Sequence, residues 1–229
     1  MAEVKISADS GGGSVALKGP ASTTGNAAVS LKLPVADGSA GQYLKTDGSG
    51  QLSFNPGKPN ILEQFYHICD GSTIATSGGN ITLGNVTAAQ DGTTSFVDVT
   101  GSSISYVPPT GTTMVIYEFN FMDCWVDQYG IGCFTFYIDS DEVTNQRFTL
   151  GGESHNQQVT HFKVGIPIGG TASTTTGRQA SWSSAKTLKM QIASHHASND
   201  IAIHRGSNWT GGSNDDHFHQ PSIGITAIG

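Results

Sequence analysis

The sequence predicts an all-β protein in which a thin N-terminal β-ribbon precedes a jelly-roll β-sandwich. Gly, Ser and Thr, which are frequent in turns and loops, account for 30, 25 and 24 of the 229 residues. Charged residues make up 13% of the chain, and no long segment carries apolar residues at helical spacing. Short apolar runs instead alternate with polar residues at period two, which is typical of half-buried strands.

The first 57 residues form a predicted stem or attachment module. They contain no His, Cys or Trp, and their aromatic residues are Tyr43 and Phe54. A ribbon with so few apolar residues buries too little surface to fold alone. We therefore expect this module to intertwine with sister chains or to dock onto a partner.

Local signals divide the module into three or four short strands. Val29, Leu31 and Leu33 share one face of the segment AVSLKL, and the segment TDGSG favours a hairpin turn because glycine tolerates positive φ. The two prolines and the glycine of NPGKPN, residues 55–60, mark the boundary with a second domain, residues 58–229.

The second domain is predicted as a two-sheet sandwich of about eight strands. Its apolar residues alternate along six segments, each of which places its larger side chains on one face. These faces comprise Val115, Tyr117, Phe119 and Phe121; Phe134, Phe136 and Ile138; Phe162, Val164, Ile166 and Ile168; Leu188, Met190 and Ile192; Ile201 and Ile203; and Ile223 and Ile225. Half-buried strands separated by Gly and Ser turns indicate a jelly roll.

The opposite faces of these strands are not uniformly polar. Met114, Ile116, Met122 and Tyr137 are predicted to point away from the core. We interpret these outward apolar residues as a subunit interface. Scattered exposed apolar residues, which are common on monomers, are the alternative.

Charge and targeting patterns exclude several classes of function. The formal net charge is −7 and no basic stripe is present, so the sequence lacks the electrostatic footprint of a nucleic-acid-binding protein. No apolar run approaches the roughly 20 residues that a membrane-spanning helix needs. The N-terminus has no secretory signal pattern, which predicts synthesis in a cytoplasm.

Two parts of the sequence resemble known families. Residues 13–54, GSVALKGPASTTGNAAVSLKLPVADGSAGQYLKTDGSGQLSF, resemble a module of fibre-like structural proteins of tailed bacteriophages, notably marine phages that infect cyanobacteria. The segments IYEFNF, FTFYID, TLKMQIA and SIGITAI make the second domain similar to the trimeric jelly rolls of the tumour necrosis factor and complement type.

The two resemblances together imply a homotrimeric virion protein that is made in the host cytoplasm. Residues 1–57 would bind other virion proteins of the tail or capsid, and the knob, residues 58–229, would recognise a host-surface glycan or protein. A tail fibre or adhesin is the principal expectation. A head fibre or capsid decoration protein without an essential receptor is the alternative.

Four aromatic residues in predicted turns are candidates for receptor binding, since Trp and Tyr often dominate recognition surfaces. They are Trp125, Tyr129, Trp182 and Trp209. The alternative for any one of them is that it plugs an end of the sandwich.

Histidines and acidic residues suggest two candidate metal sites. His217 and His219 would point to the same side of an extended segment, so three chains on a three-fold axis would offer six nitrogen ligands to iron or another transition metal. Surface-loop histidines are the alternative. Asp139, Asp141 and Glu142 could donate oxygen ligands to Ca²⁺, but a solvated hairpin turn explains this segment better.

The three cysteines do not form a recognisable disulfide or zinc pattern. A hairpin centred near Gln128 and Tyr129 would place Cys124 opposite Cys133. A cross-strand disulfide would then be feasible, whereas cytoplasmic synthesis favours thiols.

No catalytic motif is present, and the chain is predicted not to be an enzyme. The segment GGGSVALKG lacks the Gly-Lys-Ser/Thr ending of a phosphate-binding loop, and no GxSxG motif occurs. A glycan-degrading enzyme is a remote alternative, because no pair of carboxylates can be identified as acid and base.

Overall fold

The computed structural model describes residues 3–7, 14–18, 23, 25, 28–39, 41–56, 59–125, 129–153, 156–197, 201–207 and 216–229. The chain divides into two compact units, Met1–Lys58 and Pro59–Gly229. Both units are built from antiparallel β-strands. Among the described residues, no helix has the length and apolarity that crossing a membrane requires.

Among its described residues, the first unit contains two small hairpin-like sheets. β1 (Glu3–Ser7) pairs with β2 (Ser14–Lys18), and β3 (Gln42–Thr46) pairs with β4 (Leu52–Pro56). The β3–β4 turn contains the TDGSG segment. In this turn, Asp47 Oδ1 accepts hydrogen bonds from the backbone N–H groups of Ser49 and Gln51, at 2.7 and 3.1 Å.

One predicted strand of this unit does not form. The segment around Lys32 makes only a single parallel bridge to Gln51. Its apolar side chains Val29, Leu31 and Leu33 are 61–74% exposed, because no layer of the described unit covers them. No side chain described in this unit is buried, so the unit has no hydrophobic core of its own.

The second unit contains sixteen strands among its described residues. In chain order they are β5 (Ile61–Ile68), β6 (Thr73–Thr76), β7 (Gly79–Thr82), β8 (Gln90–Asp91), β9 (Val97–Asp98), β10 (Ile104–Tyr106), β11 (Met114–Trp125), β12 (Tyr129–Ile138), β13 (Asp141–Glu142), β14 (Phe148–Glu153), β15 (Gln157–Pro167), β16 (Lys186–Ser194), β17 (Ile201–Ile203), β18 (Arg205–Gly206), β19 (His217–Phe218) and β20 (Ser222–Ile228).

Eight of these strands form a jelly roll. The first sheet has the order β5–β20–β11–β15, and the second has the order β10–β16–β12–β14. If these eight strands are numbered 1 to 8 along the chain, the order in the first sheet is 1–8–3–6 and the order in the second sheet is 2–7–4–5. This double Greek-key order is that of a jelly roll, and it confirms the predicted fold class.

Short strands complete the two sheets. β17 and β8 extend the first sheet beside the last residues of β11. β9 and β13 pair with β16 and β12 of the second sheet. A 3₁₀ turn, Thr144–Gln146, links β13 to β14. The hairpins β6–β7 and β18–β19 are separate two-stranded ribbons.

The core lies between the two sheets, where the predicted alternating faces meet. Val115, Tyr117, Phe119 and Phe121 are fully buried, and they face the buried side chains of β12 and β16. Aromatic rings form a continuous layer, with the centroids of Tyr117 and Phe136 5.1 Å apart. Along each strand, side chains that point into the core alternate with side chains that point away from it, as strand geometry requires.

The connection from β11 to β12 is not a hairpin, and the predicted pairing of Cys124 with Cys133 is wrong. β11 belongs to the first sheet and β12 to the second, so the chain crosses between sheets at this point. Cys124 lies opposite Gln157 and Ala202, whereas Cys133 lies opposite Thr149 and Ala193. None of the three cysteines is in a disulfide bond.

Candidate functional site

The outer face of the first sheet carries apolar side chains. We define the outer face as the solvent side of β5, β20, β11 and β15. Tyr66, Ile68 and Val159 on this face are 53%, 48% and 44% exposed. Met114, Ile116 and Met122, the outward residues of β11, are half-buried.

A row of hydrogen bonds crosses the middle of the outer face. The Ser222 hydroxyl donates to Tyr66 Oη at 3.2 Å, and Asn120 Nδ2 donates to Ser222 Oγ at 3.3 Å. His161 Nδ1 lies 2.5 Å from Asn120 Oδ1 on the next strand. These contacts fix the polar side chains, so the face presents a defined pattern of apolar and polar groups.

Tyr137 does not belong to the outer face. It projects from β12 on the solvent side of the second sheet, where the Lys189 ammonium lies 6.0 Å from its ring centroid. Three of the four predicted outward residues therefore share one surface, and Tyr137 is on another.

Of the four receptor candidates, Trp182 alone has a side chain that the structure describes. The backbones of Trp125 and Tyr129 end β11 and begin β12, where they pair with Ile201 and Glu153. Their side chains and Trp209 lie outside what the structure describes. Trp125 and Tyr129 are thus in strands that flank the sheet crossing, and they remain candidates.

Trp182 is part of the core at the other end of the sandwich. Its side chain is 7% exposed, and its Nε1–H donates a 3.1 Å hydrogen bond to the carbonyl of Tyr106. Its ring also packs edge-on against the Tyr106 ring at 6.3 Å. Only its margin lines a cleft of about 590 Å³ together with Pro108 and Pro109. This position contradicts an exposed Trp182 and matches the alternative that it plugs the sandwich.

His217 and His219 are half-buried residues around β19. His217 pairs with Gly206, and its ring occupies the space that a side chain at position 206 would need. The backbone N–H of His219 donates to the carbonyl of His204 at 2.9 Å. Among the described residues of one chain, no group of three or more His, Cys, Asp and Glu side chains is placed to hold a metal ion. The three-fold site remains a prediction.

Hydrogen bonds tie this histidine segment to the start of β15. Gln157 accepts from the backbone N–H of Ser207 at 2.6 Å and donates to its carbonyl at 2.9 Å. The Ser207 hydroxyl donates to Asp216 Oδ1 at 2.8 Å, and Arg205 Nε lies 3.6 Å from Asp216 Oδ2.

Two titratable residues that the sequence did not single out are fully buried nearby. His204 packs edge-on against Phe119 and Phe121, and its Nε2 lies 3.0 Å from the carbonyl of Thr100. Its backbone φ is +61°, which is uncommon for a residue with a side chain. Asp123 accepts a 2.6 Å hydrogen bond from the Thr160 hydroxyl.

Burial shifts the pKa values of these two groups in opposite directions. Desolvation lowers the pKa of His204 to about 4, because it penalises the imidazolium. Desolvation raises the pKa of Asp123 to about 6, because it penalises the carboxylate, and the Thr160 hydrogen bond offsets part of that rise.

The acidic segment after β12 is a turn rather than an assembled Ca²⁺ site. Asp139 adopts φ of +57° at the tight β12–β13 turn, and its carboxylate accepts hydrogen bonds from Lys186 Nζ and the backbone N–H of Thr187. Glu142 instead holds Arg147 in a bidentate ion pair, with N–O distances of 2.6 and 2.7 Å. These carboxylates therefore face cations and do not converge.

Comparisons with known proteins give distant structural likenesses. No family model matches the chain, and no curated protein matches it. The structure of infectious bursal disease virus, Gx strain, is similar at 13% identity and a TM-score of 0.34, over 98% of this chain and 50% of that chain. The structure of its Gt strain is similar at 10% identity and a TM-score of 0.31, over 77% of this chain and 43% of that chain.

The chain spans half or less of the length of these solved structures. Identities and TM-scores this low carry no argument about function. The assignment of a jelly roll therefore depends on the strand pairings.

Proposed function

We propose that this chain is a virion structural protein, a homotrimeric tail fibre or adhesin. Residues 1–57 attach it to the particle, and the jelly roll is a knob that recognises a host surface. The resemblance of residues 13–54 to phage fibre proteins supports a virion role.

The apolar outer face is the observation that carries this proposal. The core between the two sheets is complete within one chain, so Tyr66, Ile116 and Met122 are not needed to fill it. Apolar surface of this kind, with its polar groups held in a fixed pattern, is typical of an interface. The occupant that we propose is a second copy of this chain.

The first unit supports an attachment role. Its described side chains are exposed or half-buried, including Tyr43 at 47% and Leu44 at 49% exposed. Segments that bury so little apolar surface gain stability from sister chains or from a partner. We propose tail or capsid proteins as that partner.

Trp125, Tyr129 and Trp209 are the proposed receptor-binding residues. The backbones of Trp125 and Tyr129 flank the crossing from the first sheet to the second, at the end of the sandwich away from Trp182. Trp209 lies outside the described residues. A glycan or a protein of the host surface is the proposed receptor.

Gold-labelled antibodies against residues 61–229 on intact particles test the location. Label at the tail tip or baseplate is the expected result. Label over the head would contradict the adhesin and favour a head fibre or decoration protein, for which no receptor is needed. Intact particles could also remain unlabelled although an immunoblot of disrupted particles detects the chain. Residues 61–229 would then be inaccessible to antibody, which would contradict a distal knob.

The proposal assigns no catalytic activity to the chain. Incubation of the purified protein with host polysaccharide should release no new reducing ends. Release that is lost on boiling the protein would favour a glycan-degrading enzyme instead.

A further inference from the structure

A groove of about 580 Å³ lies on the solvent side of the second sheet. Its floor is the outward face of β12, formed by Cys133, Thr135 and Tyr137, which alternate with the buried Phe134 and Phe136. We call it the Phe96 groove. Its volume falls in the range of known small-ligand pockets.

The walls of the groove differ in chemistry. Phe96, from the loop before β9, is 48% exposed and forms an apolar wall. Glu142 and Arg147 form the other wall, and their bidentate ion pair holds the guanidinium in place. A ligand therefore meets the Phe96 ring on one side and fixed hydrogen-bonding groups on the other.

Thr135 provides an independent indication of a ligand. Its side chain is 5% exposed, and its hydroxyl has no hydrogen-bond partner among the described residues. Buried polar groups are normally paired, so an unpartnered hydroxyl in the floor of a groove needs an explanation. The hydroxyl oxygen is itself covered, so a polar ligand in the groove would supply the missing partner by displacing the atoms over it.

The charges at the groove favour a neutral ligand. Arg147 is neutralised by Glu142, and Lys189, beside Tyr137, is neutralised by Asp98 at 2.9 and 3.0 Å. No unpaired cation among the described lining residues is left to attract an anion.

We propose that the Phe96 groove binds a neutral saccharide. A sugar ring has an apolar C–H face, which fits Phe96 and Tyr137, and hydroxyl groups, which suit Thr135, Glu142 and Arg147. The proposal deepens the proposed host recognition and rests on it for the biological source of the sugar. It is separate from the candidates Trp125 and Tyr129.

The test measures binding of glucose, galactose, N-acetylglucosamine and lactose to the full-length protein by saturation-transfer NMR and titration. At least one should bind, and glucuronic acid should bind more weakly than glucose. Phe96→Ala and Thr135→Val should each reduce the affinity roughly ten-fold. Phe218→Ala, which removes a comparably exposed phenylalanine (42%) elsewhere, should leave the affinity unchanged.

Thr135→Val separates binding from folding. The hydroxyl has no partner in the unliganded protein, so its replacement by an isosteric methyl group should leave the melting temperature equal or higher while binding weakens. Alkylation of the half-buried Cys133 by iodoacetamide should also slow when the sugar is bound, because Cys133 lines the groove.

Three results would overturn the saccharide groove: no binding of the four neutral sugars, equal binding by wild type and both groove variants, or stronger binding of glucuronic acid. If any of these results is found and gold label is at the tail, the saccharide-binding proposal is wrong and the proposed virion role stands. Sugar binding without label on the particle would contradict the virion role instead.

Discussion

Asp123 and His204 occupy adjacent positions in the pairing of β11 with β17, because Ile203, the residue before His204, lies opposite Asp123. Both side chains are fully buried. Burial keeps the imidazole neutral and favours the protonated carboxyl, so the two groups respond to acid with opposite signs.

The stability of two variants should therefore change with pH in opposite directions. His204 has a folded pKa of about 4, below its unfolded value of about 6.5, so its contribution to stability is lost as the pH falls from about 6.5 to 4. Asp123 has a folded pKa of about 6, above its unfolded value, so its contribution is lost as the pH rises from about 4 to 6.

As the pH falls from 6 to 4, the free energy of unfolding of Asp123→Asn should decrease relative to wild type by about 2 kcal/mol. That of His204→Asn should increase relative to wild type by about the same amount. Asparagine is chosen at position 204 because it tolerates positive φ. Urea unfolding at pH 7, 6, 5 and 4 measures both. If the free energies of unfolding of the two variants changed with pH in the same way, these groups would not titrate as buried residues.

Replacement of Trp182 by alanine should destabilise the knob rather than weaken receptor binding. The change removes a buried ring and its hydrogen bond to the Tyr106 carbonyl, a loss of about 3–5 kcal/mol. Denaturant unfolding measures it, with Phe218→Ala as the exposed aromatic control. If Trp182→Ala unfolds like wild type and fails to bind host cells, Trp182 is a receptor residue and its place in the core is wrong.

His217 in β19 and His219 just after it predict a metal on a trimer axis. Purified trimer should contain about one transition-metal ion per three chains, because each chain offers His217 and His219 to an octahedral site. Metal analysis by mass spectrometry should show its loss in His217→Ala and in His219→Ala but not in His195→Ala, an exposed histidine. Metal-free wild-type trimer would indicate that His217 and His219 have structural roles only.

Much of the fold was predictable from the sequence because strand alternation is a local signal. Phe119 and Phe121 are buried at period two on a strand that the sequence alone identified. Leu31 shows the limit of this signal, since it alternates equally well but has no layer to pack against. Alternation predicts which side chains share a face, and burial depends on whether a second layer exists.

The path between strands was less predictable. The eight residues between Cys124 and Cys133 are compatible with a hairpin and with a crossing between sheets, and the sequence does not distinguish these two paths. The left-handed backbone of His204 likewise depends on its contacts with Met122 and His219. Both features follow from packing that forms only once the sheets are assembled.

The candidate sites were predictable only in part. Met114, Ile116 and Met122 were found from alternation, and the structure gathers them on the outer face. The Phe96 groove was missed because Phe96 stands alone in a Thr and Ser loop and its partners come from distant strands. A single large aromatic residue in a polar loop was the signal that could have drawn attention to it.

The mass of the full-length protein in solution tests the central claim most directly. Sedimentation equilibrium should give three times the 23.9 kDa of one chain. Ile116→Lys, which places a charge on the outer face, should reduce the mass toward that of one chain, while Lys189→Ala on the second sheet should remain trimeric. A wild-type mass of 23.9 kDa at micromolar concentration would contradict the proposed homotrimer.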